Sequence, residues 1–230
     1  DQQVLQQRRV EPIEGTDPPT LDALRAEGFG PAIVDRFLRP LLGGIQLDAG
    51  LSASRRMYEV VLRTLAVGDA AVPADGMGAL PAQLADGLAP GTVELDAAVA
   101  AVDADGVRLV DGGRVGGTHV VVATEGPVAA RLLGLPAVAS RPVRAVWFAA
   151  DRAPFGHRLV ALDGVGTGPA LNVAVMTNVA PEYSSDGRAL VVAACPGPFD
   201  GDGDGDGDGI GIGIGIGAND DSALVDDVRR

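Results

Sequence analysis

The spacing of apolar residues changes part-way along the chain, and this change limits the possible folds more than any other feature. In the first third, apolar residues recur every three or four positions, which is typical of amphipathic helices. Further along they alternate with polar residues or form short continuous runs, which is typical of strands. The pattern predicts an α+β fold in which a helical N-terminal third is followed by sheet.

Two of the predicted helices are delimited by their end residues. Thr20 follows two prolines and is a favoured N-cap, and Gly28 is a favoured stop. The next helix has Pro31 at its first position and is predicted to end at Pro40. Its apolar face, which we expect in the core, consists of Ile33, Val34, Phe37 and Leu38.

A third helix is predicted from Ser52 or Ser54, as its cap, to Gly68, as its stop. Apolar residues recur along one face, so we expect this face to pack in the core. The residues of that face are Met57, Val60, Val61 and Leu65.

The middle of the chain is predicted to contain a glycine-rich loop, a short helix and several strands. The loop is Gly76-Met77-Gly78, and leucines at helical spacing follow it. The strands are predicted near Val93–Leu95, Val99–Val102, Val107–Val110 and Val120–Ala123. The last of these, in "HVVVAT", is continuously apolar, as expected of a strand buried on both faces, and a helix over "PVAARLLG" follows it.

Four more strand-like runs lie between Arg141 and Cys195. They are "PVRAVWFAA", "HRLVALDG", "PALNVAVMTN" and "RALVVAAC". The turn-rich pieces between them leave no room for crossover helices, so an antiparallel meander is predicted.

A dipeptide repeat follows the last of these runs. Glycine occupies every odd position from Gly201 to Gly217, with Asp and then Ile between them. Ordering so much glycine costs a large conformational entropy, so a low-complexity loop is predicted at 199–221, before the start of a truncated helix at 222–230. The Asp spacing resembles the opening of a calcium loop, but glycine stands where the twelfth-position Glu belongs, so no metal site is predicted.

Charge and cysteine content exclude several classes of function. The net charge is −13, which argues against a nucleic-acid partner. Cys195 is the single cysteine, which excludes an internal disulfide and fits a reducing, cytoplasmic setting. No apolar run reaches the ~18 residues of a membrane span. A small-molecule partner is expected, and the oligomeric state stays open.

Common catalytic and nucleotide-binding motifs are not found in the sequence. His119 and His157 lie in or beside strand-like runs, and an ordinary surface role is favoured over that of a general base. The dinucleotide fingerprint needs glycines at i, i+2 and i+5, and Gly76-Met77-Gly78 fails because Pro81 stands at the third place. No catalytic residue is assigned.

The run from Arg39 to Leu88, which includes "RPLLGGIQLDAGLSASRRMYEVV" and "GMGALPAQLADGL", resembles the middle of flavin-containing amine-oxidase superfamily proteins. That superfamily includes monoamine oxidases, protoporphyrinogen oxidases and phytoene-desaturase-like enzymes. The chain is most similar to its protoporphyrinogen-oxidase-like branch of NAD(P)/FAD-dependent oxidoreductases. The resemblance extends from Phe29 to Pro196 in consistent order.

The resemblance implies FAD as the cofactor of an oxidoreductase that moves a hydride from a small organic substrate to the flavin. It implies that the main chain of Val99 lies against the adenine end of FAD and that Ala123 and Thr124 lie near the dinucleotide. It also implies that the loop at Gly76 and Met77 lies at the boundary between flavin and substrate. Ordinary sheet core is the alternative role of Val99.

The resemblance further implies a division into domains. Residues 1–75 correspond to the helical part of a substrate domain, 76–136 to a return into the FAD-binding domain, and 137–198 to the antiparallel sheet of the substrate domain. Three candidates for lining the substrate cavity, with core packing as their alternative role, are Met57, Tyr58 and Trp147.

The chain departs from the family pattern because it lacks the glycine fingerprint on a first strand and the C-terminal segment beneath the flavin ring. An interior fragment or a broken gene explains both departures. We therefore expect an FAD-dependent parent, and we expect this chain alone to be inactive and not to retain FAD. The alternative is a non-catalytic remnant without a cofactor. The substrate stays open among amines, porphyrinogens and carotenoids.

Overall fold

The structure, a computed structural model, describes residues 15–197. The predicted loop at 199–221 and the predicted helix start at 222–230 lie outside the described residues. Helices and two antiparallel sheets make up the described chain, so the predicted α+β class is confirmed at this level.

Three helical stretches form the N-terminal part. Helix α1 spans Thr20–Ala26 and helix α2 spans Pro31–Ile33. Helix α2 continues through a π-helical turn at Val34–Leu38 into helix α3 at Arg39–Gln46. Helix α4 spans Arg55–Val67. The predicted helices are therefore present, and the predicted first position of Pro31 is confirmed.

The prediction that Pro40 ends a helix is wrong, because the helical path continues through it to Gln46. Proline lacks an N–H and its ring collides with the carbonyl four residues back, which here belongs to Arg36. The π-helical turn widens the backbone just before Pro40, as the bond from the Arg39 N–H to the Val34 carbonyl shows. The helix therefore accommodates the proline instead of breaking.

The helix caps join α1 to α4. Pro19, not the predicted Thr20, occupies the N-cap of α1. The Thr20 hydroxyl instead donates to the Ala53 carbonyl at 2.9 Å, just before α4. Ser54 is the cap of α4, since its side chain accepts from the Arg56 N–H at 3.1 Å, and Gly68 is its C-cap, both as predicted.

The buried face of α4 matches the predicted one only in part, since Val61 packs against the core as expected. Tyr58 is 3% exposed, whereas Met57 is 52% exposed, and Val60 and Leu65 are also exposed. The two faces are adjacent on the helix and both are apolar, so periodicity alone does not select between them. Packing against α1 selects Tyr58. The buried cluster that results contains Ala23, Leu24, Val34, Leu38, Leu42, Leu51 and Tyr58.

The middle of the chain forms a separate set of elements. Helix α5 spans Ala79–Asp86 and helix α6 spans Gly126–Leu133. Between them, a three-stranded antiparallel sheet contains β1 at Val99–Asp103, β2 at Gly106–Leu109 and β3 at Arg114–Gly116. We call residues 74–140 the lobe, and the other described residues, 15–73 and 141–197, the body.

Two predicted strands of the lobe are not formed. Neither Val93–Leu95 nor Val120–Ala123 is a strand, and Val121 is 87% exposed. A continuous apolar run indicates a tendency to be buried, but a strand also needs a neighbour to accept its hydrogen bonds. In the described part of the chain, no strand pairs with residues 120–123.

A four-stranded antiparallel sheet forms the C-terminal part of the body. Its strands are β4 at Val143–Ala150, β5 at Val160–Leu162, β6 at Asn172–Val175 and β7 at Ala189–Pro196. A four-residue helix, α7 at Met176–Val179, and a 3₁₀ turn at Pro181–Tyr183 connect β6 to β7.

The strand order is β4-β7-β6-β5, so the predicted meander holds only for the last three strands. Strand β4 pairs with β7 along eight residue pairs, from Val143 opposite Pro196 to Ala150 opposite Ala189. Strand β5 has only three residues, so pairing the two long strands forms more hydrogen bonds. Phe155, in the connection from β4 to β5, packs against the buried Val175 and Val191.

Helix α3 packs against the end of this sheet. Gly44 lies so close to the Asn172 side chain that a Cβ at this position would overlap it. The Asn172 amide donates to the Pro40 carbonyl at 3.5 Å. The helices and the sheet of the body are thereby in direct contact. No helix in the described range 15–197 is long and apolar enough to cross a membrane.

Candidate functional site

The candidate cofactor residues of the lobe lie on strand β1 and just before helix α6. Val99 is the first residue of β1, half-buried, and is followed by an irregularity in the pairing with β2. Ala123 and Thr124 are exposed in the extended segment that leads into α6. Small exposed residues leave their main chain open to a ligand.

Gly76 and Met77 lie in a turn before helix α5. The Gly76 N–H donates to the Pro73 carbonyl at 3.1 Å, and Gly76 has φ +85°, a backbone conformation that favours glycine. No atom lies near the place of its missing Cβ, and Met77 is exposed. This turn therefore presents an open backbone position beside a flexible apolar side chain.

The first turn of α6 does not fit the diphosphate of a dinucleotide. Such a group binds to free N–H groups at a helix N-terminus, where negative charge is favoured. Here Glu125 occupies the N-cap and Pro127 stands in the first turn, so a carboxylate stands near the site and one N–H is missing. The described lobe offers exposed apolar side chains and open main chain, but this helix offers no phosphate cradle.

The three candidate substrate residues lie in different surroundings. Tyr58 is in the helical cluster, and its hydroxyl hydrogen-bonds to the Glu27 carboxylate. Burial, and then the bond to Glu27, raises the pKa of the Tyr58 hydroxyl, which stays protonated. Met57, which precedes Tyr58 on the same helix, is exposed, and Trp147 is exposed on β4.

The sheet face that carries Trp147 is apolar. The pairing register puts Trp147 opposite Val192, Val192 opposite Ala174, and Ala174 opposite Val160. Residues directly opposite one another point to the same side of a sheet. Trp147 and Val160 are exposed there, so this side of the sheet offers an open, uncharged surface.

A cavity of about 300 Å³ lies at one end of the same sheet. It is lined by Asp151, Ala153, Thr177, Asn178, Pro181, Ser184, Gly187, Arg188 and Ala189. None of the residues predicted from the sequence as cofactor or substrate contacts lines it. This cavity therefore gives no support to those predictions.

Sequence reasoning missed a buried carboxylate in the body, at Asp48. Its side chain is 6% exposed and pairs with Arg141, whose Nη1 lies 2.9 Å from Oδ1. The Ala53 N–H and the Ser52 hydroxyl donate to Oδ2 at 2.8 and 3.0 Å. The short sequence "DAGLS" offers a local signal for the loop bonds, but nothing near Asp48 signals an arginine so far along the chain.

The hydrogen bonds determine the charge of Asp48. Burial acts to raise the pKa of this carboxyl, but bonds from Ser52 and Ala53 and the charge of Arg141 outweigh it, so the pKa lies below its ordinary value. Asp48 is therefore ionised at neutral pH.

Two further side chains of reactive type are Cys195 and His119. Burial raises the pKa of the Cys195 thiol to about 11, so this side chain is a protonated, buried thiol. The His119 ring nitrogen Nδ1 lies 3.3 Å from the hydroxyl of the neighbouring Thr118. Within residues 15–197, no group of three His, Cys, Asp or Glu side chains could hold a metal ion.

Comparisons with known proteins agree with the resemblance. The family model for flavin containing amine oxidoreductase matches residues 5–200, which include both the lobe and the body. No curated protein and no solved structure matches the chain. A family match over most of the 230 residues is decisive, and the chain belongs to the flavin containing amine oxidoreductase family, whose intact members bind FAD.

Proposed function

We propose that this chain supplies two surfaces of a flavin-dependent oxidoreductase. The lobe contacts FAD, and the body contacts a small organic substrate. The observation that carries the proposal is the family match over residues 5–200, because it includes both parts. The exposure of Met77, Ala123 and Thr124 in the lobe supports it further.

In this proposal, main chain and small side chains of the lobe contact the cofactor. Val99, Ala123 and Thr124 border the adenine and ribose parts, and Gly76 and Met77 border the flavin ring. Bound FAD supplies the acceptor for a hydride. The chain positions the cofactor through van der Waals and main-chain contacts, and the apolar side chain of Met77 excludes water.

The substrate in this proposal gives up a hydride from a C–H next to nitrogen or from a reduced ring, as in the protoporphyrinogen-oxidase-like branch. The uncharged sheet face around Trp147 supports contact with an apolar or ring-bearing part of that substrate. Met57, exposed on α4, contributes a second apolar contact. Tyr58 acts indirectly, since it holds α4 against α1 through Glu27.

Hydrogen exchange in the presence of millimolar FAD tests this assignment. Because we expect the chain not to retain FAD during purification, the cofactor is added in excess. We expect slower exchange at residues 76–78 and 119–124 than in its absence. Adenosine diphosphate, which lacks the flavin ring, is the second probe. We expect it to slow exchange at residues 119–124 only, because the contacts with the flavin ring are proposed at residues 76–78.

Two arginine substitutions provide the matched comparison. Ala123→Arg places a long side chain where the cofactor is proposed to approach, and Ala104→Arg places the same side chain at another exposed position of the lobe. We expect Ala123→Arg alone to abolish the protection. If FAD protects neither segment of the unchanged chain, the proposal is wrong and the non-catalytic remnant is favoured.

A further inference from the structure

The lobe is joined to the body at two places in the chain. The chain runs on from Gly68, the C-cap of α4, and passes from the body into the lobe after Pro73. It returns at Arg141, just before β4 begins at Val143. The extensive contacts of the lobe strands are with one another and with α6. In the described part of the chain, no helix or strand of the lobe has an extensive contact with a helix or strand of the body.

At the return point, Arg141 is held by the body. Its Nη1 pairs with the Asp48 carboxylate at 2.9 Å, and its Nη2 donates to the Ser52 hydroxyl at 3.1 Å. The loop itself holds Asp48, since the Gly50 N–H donates to Oδ1 at 3.2 Å and the Ala53 N–H to Oδ2. Removing the cation from a buried carboxylate is strongly destabilising, because the charge is then left without a partner. The ion pair with Asp48 therefore holds Arg141 in place.

At the exit point, a second side chain of the body holds the chain. The Tyr183 hydroxyl donates to the Pro73 carbonyl at 2.8 Å. Tyr183 belongs to the 3₁₀ turn that precedes β7, and the ring is half-buried. Three residues after Pro73, the turn at Gly76 begins the lobe.

From these contacts we propose that Asp48 and Tyr183 are positioning residues that set the orientation of the lobe on the body. Domain rotation takes place at a few loop residues that act as hinges, and contacts that fix the chain beside the two connections restrict it. Asp48 acts through Arg141 and Tyr183 acts through the Pro73 carbonyl. Resting on the proposed function, this orientation sets the gap between the cofactor contacts of the lobe and the Trp147 face of the sheet.

Spin-label distance measurements on the full chain test this inference without any flavin. One label is attached at Arg108→Cys, on the exposed side of β2, and the other at Val160→Cys, on β5. Cys195→Ala removes the single native thiol. We expect one narrow distance distribution between lobe and body in this background.

Variants at the two attachments are then compared. We expect loss of the single narrow peak in Arg141→Ala and in Tyr183→Phe, and the broadest distribution when both changes are combined. Arg141→Ala leaves the Asp48 carboxylate buried without its cation, which destabilises the fold. Tyr183→Phe removes only a hydroxyl, so it keeps the test valid if Arg141→Ala does not fold.

The matched control is Arg114→Ala. This change breaks two carboxylate pairs of similar length, to Asp103 at 3.0 Å and to Asp105 at 2.8 Å, but both lie inside the lobe. We expect the narrow peak to persist. The inference is overturned if the folded attachment variants keep the narrow peak, if Arg114→Ala broadens it equally, or if the starting chain already shows a broad distribution. Failure of FAD to protect the lobe would leave these distances unaffected.

Discussion

The body and the lobe bury their apolar residues to very different extents. In the body, Leu24, Leu42 and Leu51 are completely buried. In the lobe, Leu84 is 74% exposed and Leu95 is 80% exposed. Both regions are rich in apolar residues, so composition does not explain the difference. Both regions expose some large apolar side chains, but among the described residues Ala130 is the only buried apolar residue of the lobe, and the other buried apolar residues belong to the body.

This difference separates a region that contains most of the buried core from one that exposes most of its large apolar side chains. Burial of apolar area is the main source of folding free energy, so the stability of the described chain resides in the body. Exposed apolar patches of this kind mark surfaces that contact another molecule. The proposed role of the lobe in contacting a cofactor agrees with its exposure.

The largest difference is expected between two leucine substitutions. Leu42→Ala leaves a cavity in the helical cluster and should lower the free energy of unfolding by about 2–5 kcal/mol. Leu84→Ala removes an exposed side chain from a helix and should change it by less than about 0.5 kcal/mol. Urea denaturation measures both. Equal losses would show that the lobe has a core of its own.

Substitution of a strained glycine in the lobe should destabilise the lobe and leave the body unchanged. Gly106 has φ +146°, and a Cβ there would overlap the Val115 carbonyl, so Gly106→Ala should destabilise the lobe sheet by about 1–3 kcal/mol. Gly116, its pairing partner, has its nearest neighbour 3.8 Å from the Cβ place, so Gly116→Ala is the control. Hydrogen exchange should quicken in residues 99–116 and stay unchanged in β4 and β7. Faster exchange in both regions would contradict their independence.

Acid should weaken the body through Asp48. The folded-state pKa of this carboxyl lies below its ordinary value, so the unfolded chain binds the proton more readily. The contribution to stability is complete above the unfolded pKa of about 3.9 and is lost as pH falls through the folded pKa. Urea midpoints measured between neutral pH and pH ~3 should show this loss, and Asp48→Asn should flatten it. Asp105→Asn, at an exposed position of the lobe, should leave the pH profile unchanged.

The smallest expected effect on stability comes from a comparison of the reaction rates of two thiols, one in the body and one in the lobe. Cys195 is completely buried and its pKa is raised to about 11, so it should react with a thiol reagent only when the sheet opens. A cysteine introduced by Val121→Cys should react as fast as a free thiol and should leave stability unchanged. The reaction is followed by absorbance or mass spectrometry. Rapid modification of Cys195 in the folded chain would show that the body opens as readily as the lobe.

Local sequence signals predicted where helices and strands lie better than they predicted which elements pack or pair with one another. Ser54 and Gly68 delimit α4 as predicted, since a cap acts within one turn of its own residue. Pro40 did not end its helix, because a π-helical turn changed the local geometry. The apolar run at 120–123 forms no strand, because strand formation depends on a neighbour that a local pattern does not specify.

In the candidate site, too, local features were predictable from the sequence and contacts between distant residues were not. The resemblance named Val99, Ala123, Thr124, Gly76 and Met77, and their roles remain predictions. The Gly76 turn was recognisable from its glycines, whereas the pair of Asp48 and Arg141 was not. Arg141 and Ser52, which belong to the same attachment, are 89 positions apart. No periodicity or spacing connects residues at that separation.

By itself, the sequence determined the α+β class, the positions of most helices and strands, and the family to which the chain belongs. These features depend on propensity, caps and ordered motifs, which act over a few residues. Tertiary structure alone decided which face of α4 is buried, that β4 pairs with β7, and that Asp48 and Tyr183 hold the two ends of the lobe. These depend on contacts between distant residues, where the free energy of packing selects among several locally equivalent choices.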